Sequence, residues 1–557
     1  MDWVKAKLQT ESRNKTPASS GKGMSVITVE NKQAVSNLPM QQPSLSRQRC
    51  LHLVILILAF VATRGLAYIA GLRVLSRDLP WYWQLLDLDI LHHHLLRGLL
   101  YLHAQPPLYN AIVGVAEKLS ATHYGGIILA LQLLLGLSAP IAIYLALTKL
   151  GVAPLFSLVV SLILLLNPAA ILFEFDPSYT VPVYALNCLL TLALVFYVKS
   201  RSTTMLLALI GCAVALTLVR SSYQPVWLVA ILGTLFWTLP ANRRHIATLG
   251  IAGVLLTLVW PAKNYVLFHH FVSSTWAPFS MSKHWKYPAD QQRIEPWVQQ
   301  GLLPTFAPRP KESGKTEREF PAWLQQQWPA PPRGVPELDS VTKGDTGWTN
   351  WNSLAMLRMH DAEAKDVSFL LRHDPRSYVL NVGRATIIYF EPSTYYYMGE
   401  GGDTLVQYER LASLDRAVSR VCCNIFGLPP EAYELLPPQK FRIRNLCMGA
   451  VALYGVLLAS LVSLGSRSLW SGELDRRLVI SVMMVTVIYA FLVGNLVEVG
   501  ENMRFRFEIH ALVVTISAIF LQQIWDVRTR RTASMKTKQR MALIRESRPV
   551  HNPKGED

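Results

Sequence analysis

The stretch YGGIILALQLLLGLSAPIAIYLALTKLGVAPLFSLVVSLILLLNPAAILFEF, residues 124–175, carries only two charged side chains, Lys149 and Glu174. Each half is an apolar block of roughly 17–25 residues, the length that crosses a bilayer as a helix. A short turn containing Lys149 and Pro154 joins them. In hydrocarbon a single segment can satisfy its backbone groups only by coiling into a helix, so the pair reads as a helical hairpin through a membrane.

The pattern repeats on both sides. Apolar blocks lie at 51–72, 124–148, 154–174, 178–198, 204–220, 224–240 and 246–267, and again at 445–464, 478–497 and 509–525. The expected fold class is an all-α membrane protein, a helical bundle of about ten spans. Interfacial helices are expected in the first outer loop, with a large further outer region. Of 557 residues 51% are hydrophobic and 16% charged, against about 25% charged in a soluble domain.

The net charge of +17 reports orientation first. Lys149, Lys199 with Arg201, Arg243 with Arg244, Arg467 with Arg476 and Arg477, and Arg528 with Arg530 and Arg531 fall on one side, together with both tails. By the positive-inside rule that side is cytoplasmic, which requires an even number of spans. No basic groove interleaved with aromatics appears, so nucleic acid is not expected as a partner. The expected organisation is a disordered cytoplasmic tail at 1–50, too long and polar for a signal peptide. Then come a membrane module at 51–267 with its first outer loop at 73–123, an extracytoplasmic region at 268–440, the last helices at 441–525, and a basic cytoplasmic tail at 526–557. A bacterial inner membrane is favoured, or the endoplasmic reticulum membrane in a eukaryote.

Within the outer segments, 303–346 reads as a loop without helices. Residues 351–373 read as an amphipathic helix and 378–391 as an interfacial helix. In 85–102 Leu88, Leu91, Leu95, Leu99 and Leu102 form one stripe, which predicts a single helix in the interface plane with Asp87 at its N-terminal end. There is no internal repeat and no pair of interrupted spans of the transporter kind. The six cysteines show no CxxC; Cys188 and Cys212 read as packing residues, and one disulfide among Cys422, Cys423 and Cys447 stays open. His92, His93 and His94 are consecutive and cannot all face one ion on a helix. Neither a metal nor another cofactor is expected.

Ionisable residues gather at the outer helix ends: Asp87 and Asp89, Glu174 and Asp176, Arg220, Lys263 beside Asn264, then Glu498, Glu501, Arg504, Arg506 and Glu508. Charges flank any membrane helix, and Asp87 can be a helix cap without chemistry. Yet the positive-inside rule would place these arginines on the other side, and acids alternate with bases. That layout suits group transfer from an anionic membrane-embedded donor, with a carboxylate as general base and guanidinium forks on phosphate.

Four stretches carry a family resemblance. They are Trp83-Gln84-Leu85-Leu86-Asp87 with Tyr101-Leu102-His103-Ala104-Gln105-Pro106-Pro107-Leu108-Tyr109-Asn110; Asn167-Pro168 through Glu174 to Tyr179-Thr180; Trp260-Pro261-Ala262-Lys263-Asn264-Tyr265; and Glu501-Asn502-Met503-Arg504-Phe505-Arg506-Phe507. Together they resemble the GT-C fold glycosyltransferases that use polyprenyl-phosphate-linked sugars. That superfamily includes the protein O-mannosyltransferases and the lipid A aminoarabinose transferases. The resemblance is to bacterial-type members above all. It implies a hexosyl- or pentosyltransferase with a polyprenyl-phosphate-linked sugar as donor. The acceptor, a lipid, glycan or protein, stays open. It further implies catalytic Asp87 and Glu174, and donor phosphate on Arg504, Arg506, Lys263 and Arg220. Asp89, His103, Gln105, Asn264 and Glu501 would support them. Lys263 stands where the family often has Arg, and His510 where it often has Pro. Asp89 competes with Asp87 as base. A lipid transporter or scramblase, and a degenerate lipid-binding relative, are the alternative readings.

Overall fold

The structure is a computed structural model that describes residues 42–74, 76–307, 319–393, 447–466, 469–470 and 473–546. The expectations for residues 1–41, Arg467, Cys422 and Cys423 lie outside these. The chain divides into Met1–Cys50 and Leu51–Asp557, and the architecture below is that of the second unit.

Among the described residues every regular element is helical, apart from one isolated bridge between Thr342 and Thr349. Six helical stretches among the described residues are long and apolar enough to cross a membrane: Arg47–Ile69, Tyr124–Lys149, Thr180–Ser200, Pro240–Phe268, Leu474–Val497 and Asn502–Met541. The bent pair Pro154–Leu165 and Pro168–Phe175 passes the same test together and makes a seventh when counted as one span. Three shorter apolar helices, Thr203–Val219, Pro225–Thr238 and Gly449–Ser463, bring the number to the expected ten if they too cross. In chain order the helices are α1 (Gln42–Ile69), α2 (Leu88–His93), α3 (Leu95–Tyr101), α4 (Pro107–Leu119), α5 (Tyr124–Lys149), α6 (Pro154–Leu165) and α7 (Pro168–Phe175). Next are α8 (Thr180–Ser200), α9 (Thr203–Val219), α10 (Pro225–Thr238) and α11 (Arg243–Phe268). Then come α12 (Ala277–Ser282), α13 (Pro288–Gln299), α14 (Phe320–Gln327), α15 (Pro336–Asp339), α16 (Leu354–His373) and α17 (Pro375–Tyr389). Last are α18 (Met448–Ser463), α19 (Leu474–Val497) and α20 (Asn502–Glu546).

The core lies where α5, α8, α9, α19 and α20 meet. Tyr184, Leu194, Ile480, Leu512 and Ile516 are buried there. By contrast α1 leaves Val54, Leu58, Val61 and Leu66 exposed, the outward apolar face expected of a helix against lipid.

The bend in the α6–α7 span is 51° and has an identifiable cause. Pro168 has no N–H to continue the ladder, and its ring clashes with the preceding turn. Asn167 caps the second half through Ala169 N–H. The Leu165 carbonyl, left without its helical partner, accepts from Arg64 Nη1 at 2.8 Å. Arg64 also grips Glu174 with two parallel bonds, Nε–Oε2 at 2.6 Å and Nη2–Oε1 at 2.7 Å. Both side chains are at most 5% exposed. Gly136 on α5 makes room, since a Cβ there would lie 2.4 Å from Glu174 Oε1. Arg64 and Glu174 thus find their partners in each other, at a helix break.

One end of the bundle is closed by a second arginine. Arg476 donates to the carbonyls of Leu150 and Gly151 at the end of α5, and to Gln523 and Asp526 on α20. Lys199 and Arg201 pair with Asp475 at the same end. The mixed cluster of Arg220, Glu501, Arg504 and Glu508 therefore lies at the opposite ends of α9, α19 and α20.

The outer segments match the sequence in part. Residues 351–373 form α16, capped by Ser353. Of the 378–391 stretch, the residues up to Tyr389 lie in α17, which packs on α19 and α20, with Ala385 and Ile388 against Val499 and Met503. The single helix expected over 85–102 is instead two, α2 and α3, broken at His94 with φ −130° and ψ 35°. Its leucine stripe still faces the core, with Leu91 and Leu102 buried. The 303–346 stretch holds α14 and α15 where none was expected. Both α14 and the short α15 start with Pro in their first turn, a residue read in the sequence as loop punctuation but compatible with a helix start.

Arg64→Ala or Glu174→Ala strands the remaining charge and should destabilise the chain by about 3–5 kcal/mol. An Arg64→Met/Glu174→Leu double variant should recover most of that loss in thermal unfolding of the purified protein. Cysteine placed at exposed Ser340 should be labelled by a membrane-impermeant maleimide only from the side opposite the tails; labelling from the tail side would reverse the topology.

Candidate functional site

The 73–123 loop and the 341–351 segment close on each other through hydrogen bonds between side chains and backbone. The segment turns back on itself. Lys343 N–H donates to Trp348 O, Gly347 N–H to Lys343 O, and Asn350 N–H to Val341 O. Gly347 sits at φ +70°, a left-handed conformation that disfavours other residues. This turn presents Gly344 N–H to Asp87 Oδ2. Asp87 Oδ1 accepts from Asp89 N–H at 3.0 Å and so caps α2. Lys343 Nζ donates to the carbonyls of Pro80 and Tyr82, both at 2.9 Å.

Asp87 is thus at once a helix cap and one of a group of charges. Lys343 is almost wholly buried, and desolvation lowers its pKa to about 8 despite the carboxylates of Asp345 and Asp87. Asp345 is pushed above the ordinary carboxylate value, first by desolvation and next by Asp87. Asp89 points away: its carboxylate is 73% exposed and 3.5 Å from His93 Nε2. Of the two candidate aspartates, Asp87 is the one held by the 341–351 segment.

Tyr82 joins this group to a second one. Its carbonyl accepts from Lys343, while its hydroxyl accepts from Arg504 Nη1 at 3.3 Å. Arg504, 1% exposed, also donates to Tyr179 Oη at 3.2 Å and to Glu501. Arg220 donates to the same tyrosine hydroxyl and lies 3.5 Å from Glu508 Oε1. Its guanidinium stacks over the rings of Tyr179 and Phe505. Arg504, Arg220, Tyr82, Tyr179, Glu501 and Glu508 form one cluster, its arginines and Glu508 buried and Glu501 partly exposed, in which each guanidinium is matched by a carboxylate.

The other expected residues lie elsewhere. Arg506 donates to the carbonyls of Tyr389 and Glu391 and to Ser393 Oγ, and so fastens the end of α17. Lys263 donates to Leu102 O and sits 3.7 Å from the Trp260 ring centroid. Asn264 bonds Val272 O. His103 bridges Thr275 Oγ1 and Asn352 O; burial lowers its pKa to about 3, so it works as a neutral link. Gln105 is buried in the turn before α4. Glu174 belongs to the Arg64 pair.

Tyr82, Lys343 and Asp345 were not picked out from the sequence. The signal available was the Lys343-Gly344-Asp345-Thr346-Gly347 run, a turn sequence inside a stretch read as loop.

No protein-family model and no curated protein matches the sequence. Among solved structures, the crystal structure of the Archaeoglobus fulgidus oligosaccharyltransferase in the apo form is similar at 10% identity. The match has a TM-score of 0.36 and covers 88% of this chain and 52% of that one, so the chain spans about half the length of that protein.

The buried ammonium of Lys343 gives a pH prediction. Its folded pKa of about 8 lies below the ordinary 10.5, so between those values the unfolded chain holds more protons and stability rises with pH. The stability of the wild type minus that of Lys343→Met should therefore increase from about pH 8 to 10.5 in urea unfolding at stepped pH. A flat difference would show that the amine is solvated.

Proposed function

We propose that the chain is an integral membrane glycosyltransferase that moves a sugar from a polyprenyl-phosphate donor to an acceptor at the outer face. The observation that carries this reading is Tyr82. Asp87 follows it by five positions, so a carboxylate and a guanidinium cluster sit at the two ends of a segment spanning at most about 18 Å. In this reading the proposed base and the proposed phosphate site belong to one short segment.

In the proposed reaction an acceptor hydroxyl attacks the anomeric carbon and gives its proton to the Asp87 carboxylate. The new glycosidic C–O bond forms as the bond from that carbon to the phosphate oxygen breaks. Polyprenyl phosphate leaves with the electron pair and one more negative charge. Arg504 answers that charge where it develops, which is the interaction that lowers a barrier. Glu501 holds Arg504 at rest; its side chain is 27% exposed, and phosphate would take its place on the guanidinium. Arg220, shared through Tyr179, backs the same site. Arg506 and Lys263 have a scaffolding role in this reading, and Glu174 keeps the broken span in shape.

Asp87→Asn keeps the shape of the cap and removes the base. It should lower turnover by about 10²–10⁴, with Asp89→Asn changing it far less. Arg504→Ala should raise the donor KM and lower kcat, whereas Arg506→Ala should lower thermal stability with donor KM nearly unchanged. The assay is transfer by equal amounts of purified variants with a lipid-linked sugar. If Asp89→Asn is the inactive variant, the base is misassigned; if neither aspartate matters, the chain binds lipid without catalysis.

A further inference from the structure

The segment 81–83 alternates. Tyr82 points its ring inward to Arg504 and Tyr179, while Trp81 and Trp83 are 41% and 42% exposed. Both tryptophans are backed by aromatic rings from the facing segment. Trp83 stacks on Trp351 with centroids 4.8 Å apart and planes 19° from parallel. Trp351 is itself buried against Trp276 and Phe279. Trp81 meets Trp348 edge-on at 4.9 Å. Leaving indole rings this exposed forgoes apolar burial, and each ring is immobilised from behind. Asp87 follows Trp83 by four positions and accepts from Gly344 N–H, which with Asp345 precedes Trp348 in the facing segment; Gly344 and Asp345 are exposed to solvent.

We propose that Trp81 and Trp83 form a platform for a pyranose ring of the acceptor, which makes the acceptor a carbohydrate. This rests on the glycosyl-transfer reading and names the substrate of its outer half. A pyranose with equatorial hydroxyls has one face of C–H bonds that lies flat on an indole, and a rim of hydroxyls that needs polar partners. Fixed aromatic faces beside a carboxylate supply both. The alternation assigns the sides. The phosphate-facing arginines are reached inward through Tyr82, so the outward rings serve the molecule that arrives from water. The competing occupant of exposed tryptophans at a membrane protein's outer end is the lipid headgroup zone.

The test uses the full chain in nanodiscs and cellotriose as the probe, whose glucose units have all hydroxyls equatorial. Saturation-transfer NMR should show protein contact on the axial C–H protons. Trp81→Ala should weaken cellotriose binding about five- to tenfold, the loss of one stacked ring face. Trp83→Phe, which keeps a ring on Trp351, should weaken it less. Asp87→Asn, which keeps a polar partner for a hydroxyl, should weaken it less than Trp81→Ala does. In parallel, brominated phospholipid should quench the fluorescence of wild type and of Trp81→Ala equally if Trp81 is in water. No transfer to cellotriose, transfer indifferent to both tryptophan variants, or strong lipid quenching that Trp81→Ala removes would each overturn the platform. A platform that binds cellotriose in a chain without turnover on any lipid-linked sugar would leave the platform standing and remove the transfer reading.

Discussion

Arg64 reaches from α1 into the break between α6 and α7, where it meets a carboxylate and an orphaned carbonyl at once. A lone guanidinium or carboxylate at that depth is costly; together they satisfy each other and the backbone that Pro168 disrupts. The consequence is geometric. The break lets the chain turn into the 176–179 segment, where Tyr109 bonds Pro177 O and Gln132 bonds the carbonyls of Asp176 and Ser178. Tyr179 is thereby set between Arg220 and Arg504. The ion pair at the break and the cluster at the Arg504 end of the bundle are two parts of one arrangement.

Buried charge at the two ends of the bundle is used differently. At the Arg476 end the cation is spent on carbonyls that close α5 and on side chains of α20, an assignment that fixes helices and leaves little for a ligand. At the Arg504 end the guanidinia are held by tyrosine hydroxyls and by glutamates, and Glu501 is partly exposed. Such a partner can be exchanged for another anion at small structural cost. The proposed donor site is built on that difference, and the proposed base lies one short segment away on a turn contributed by a region remote in sequence.

The spans were legible because apolar length is a one-dimensional property; the ends of α5, α8 and α19 fall close to where composition put them. Asp87 at a helix start was legible too, from its place before the leucine stripe. What composition could not supply was pairing. Arg506 and Arg504 are two residues apart in one motif, yet one fastens α17 and the other meets Tyr82, because successive positions on a helix face different neighbours. Lys343 and Asp345 were hidden for a related reason. Their significance comes from contact with residues some 260 positions earlier, and the helix break at His94 followed from tertiary packing that overrode a continuous stripe.

The central claim, that this chain consumes a polyprenyl-phosphate-linked sugar, is tested most directly in lipid extracts of cells lacking it. Mass spectrometry of extracts from cells with the gene deleted, or complemented with wild type or with Asp87→Asn, compares the same lipids in three backgrounds. The account predicts a polyprenyl-phosphate-linked sugar that accumulates in the deletion, persists with Asp87→Asn and returns to its original level with wild type. An unchanged polyprenyl-phosphate sugar profile in the deletion would contradict it.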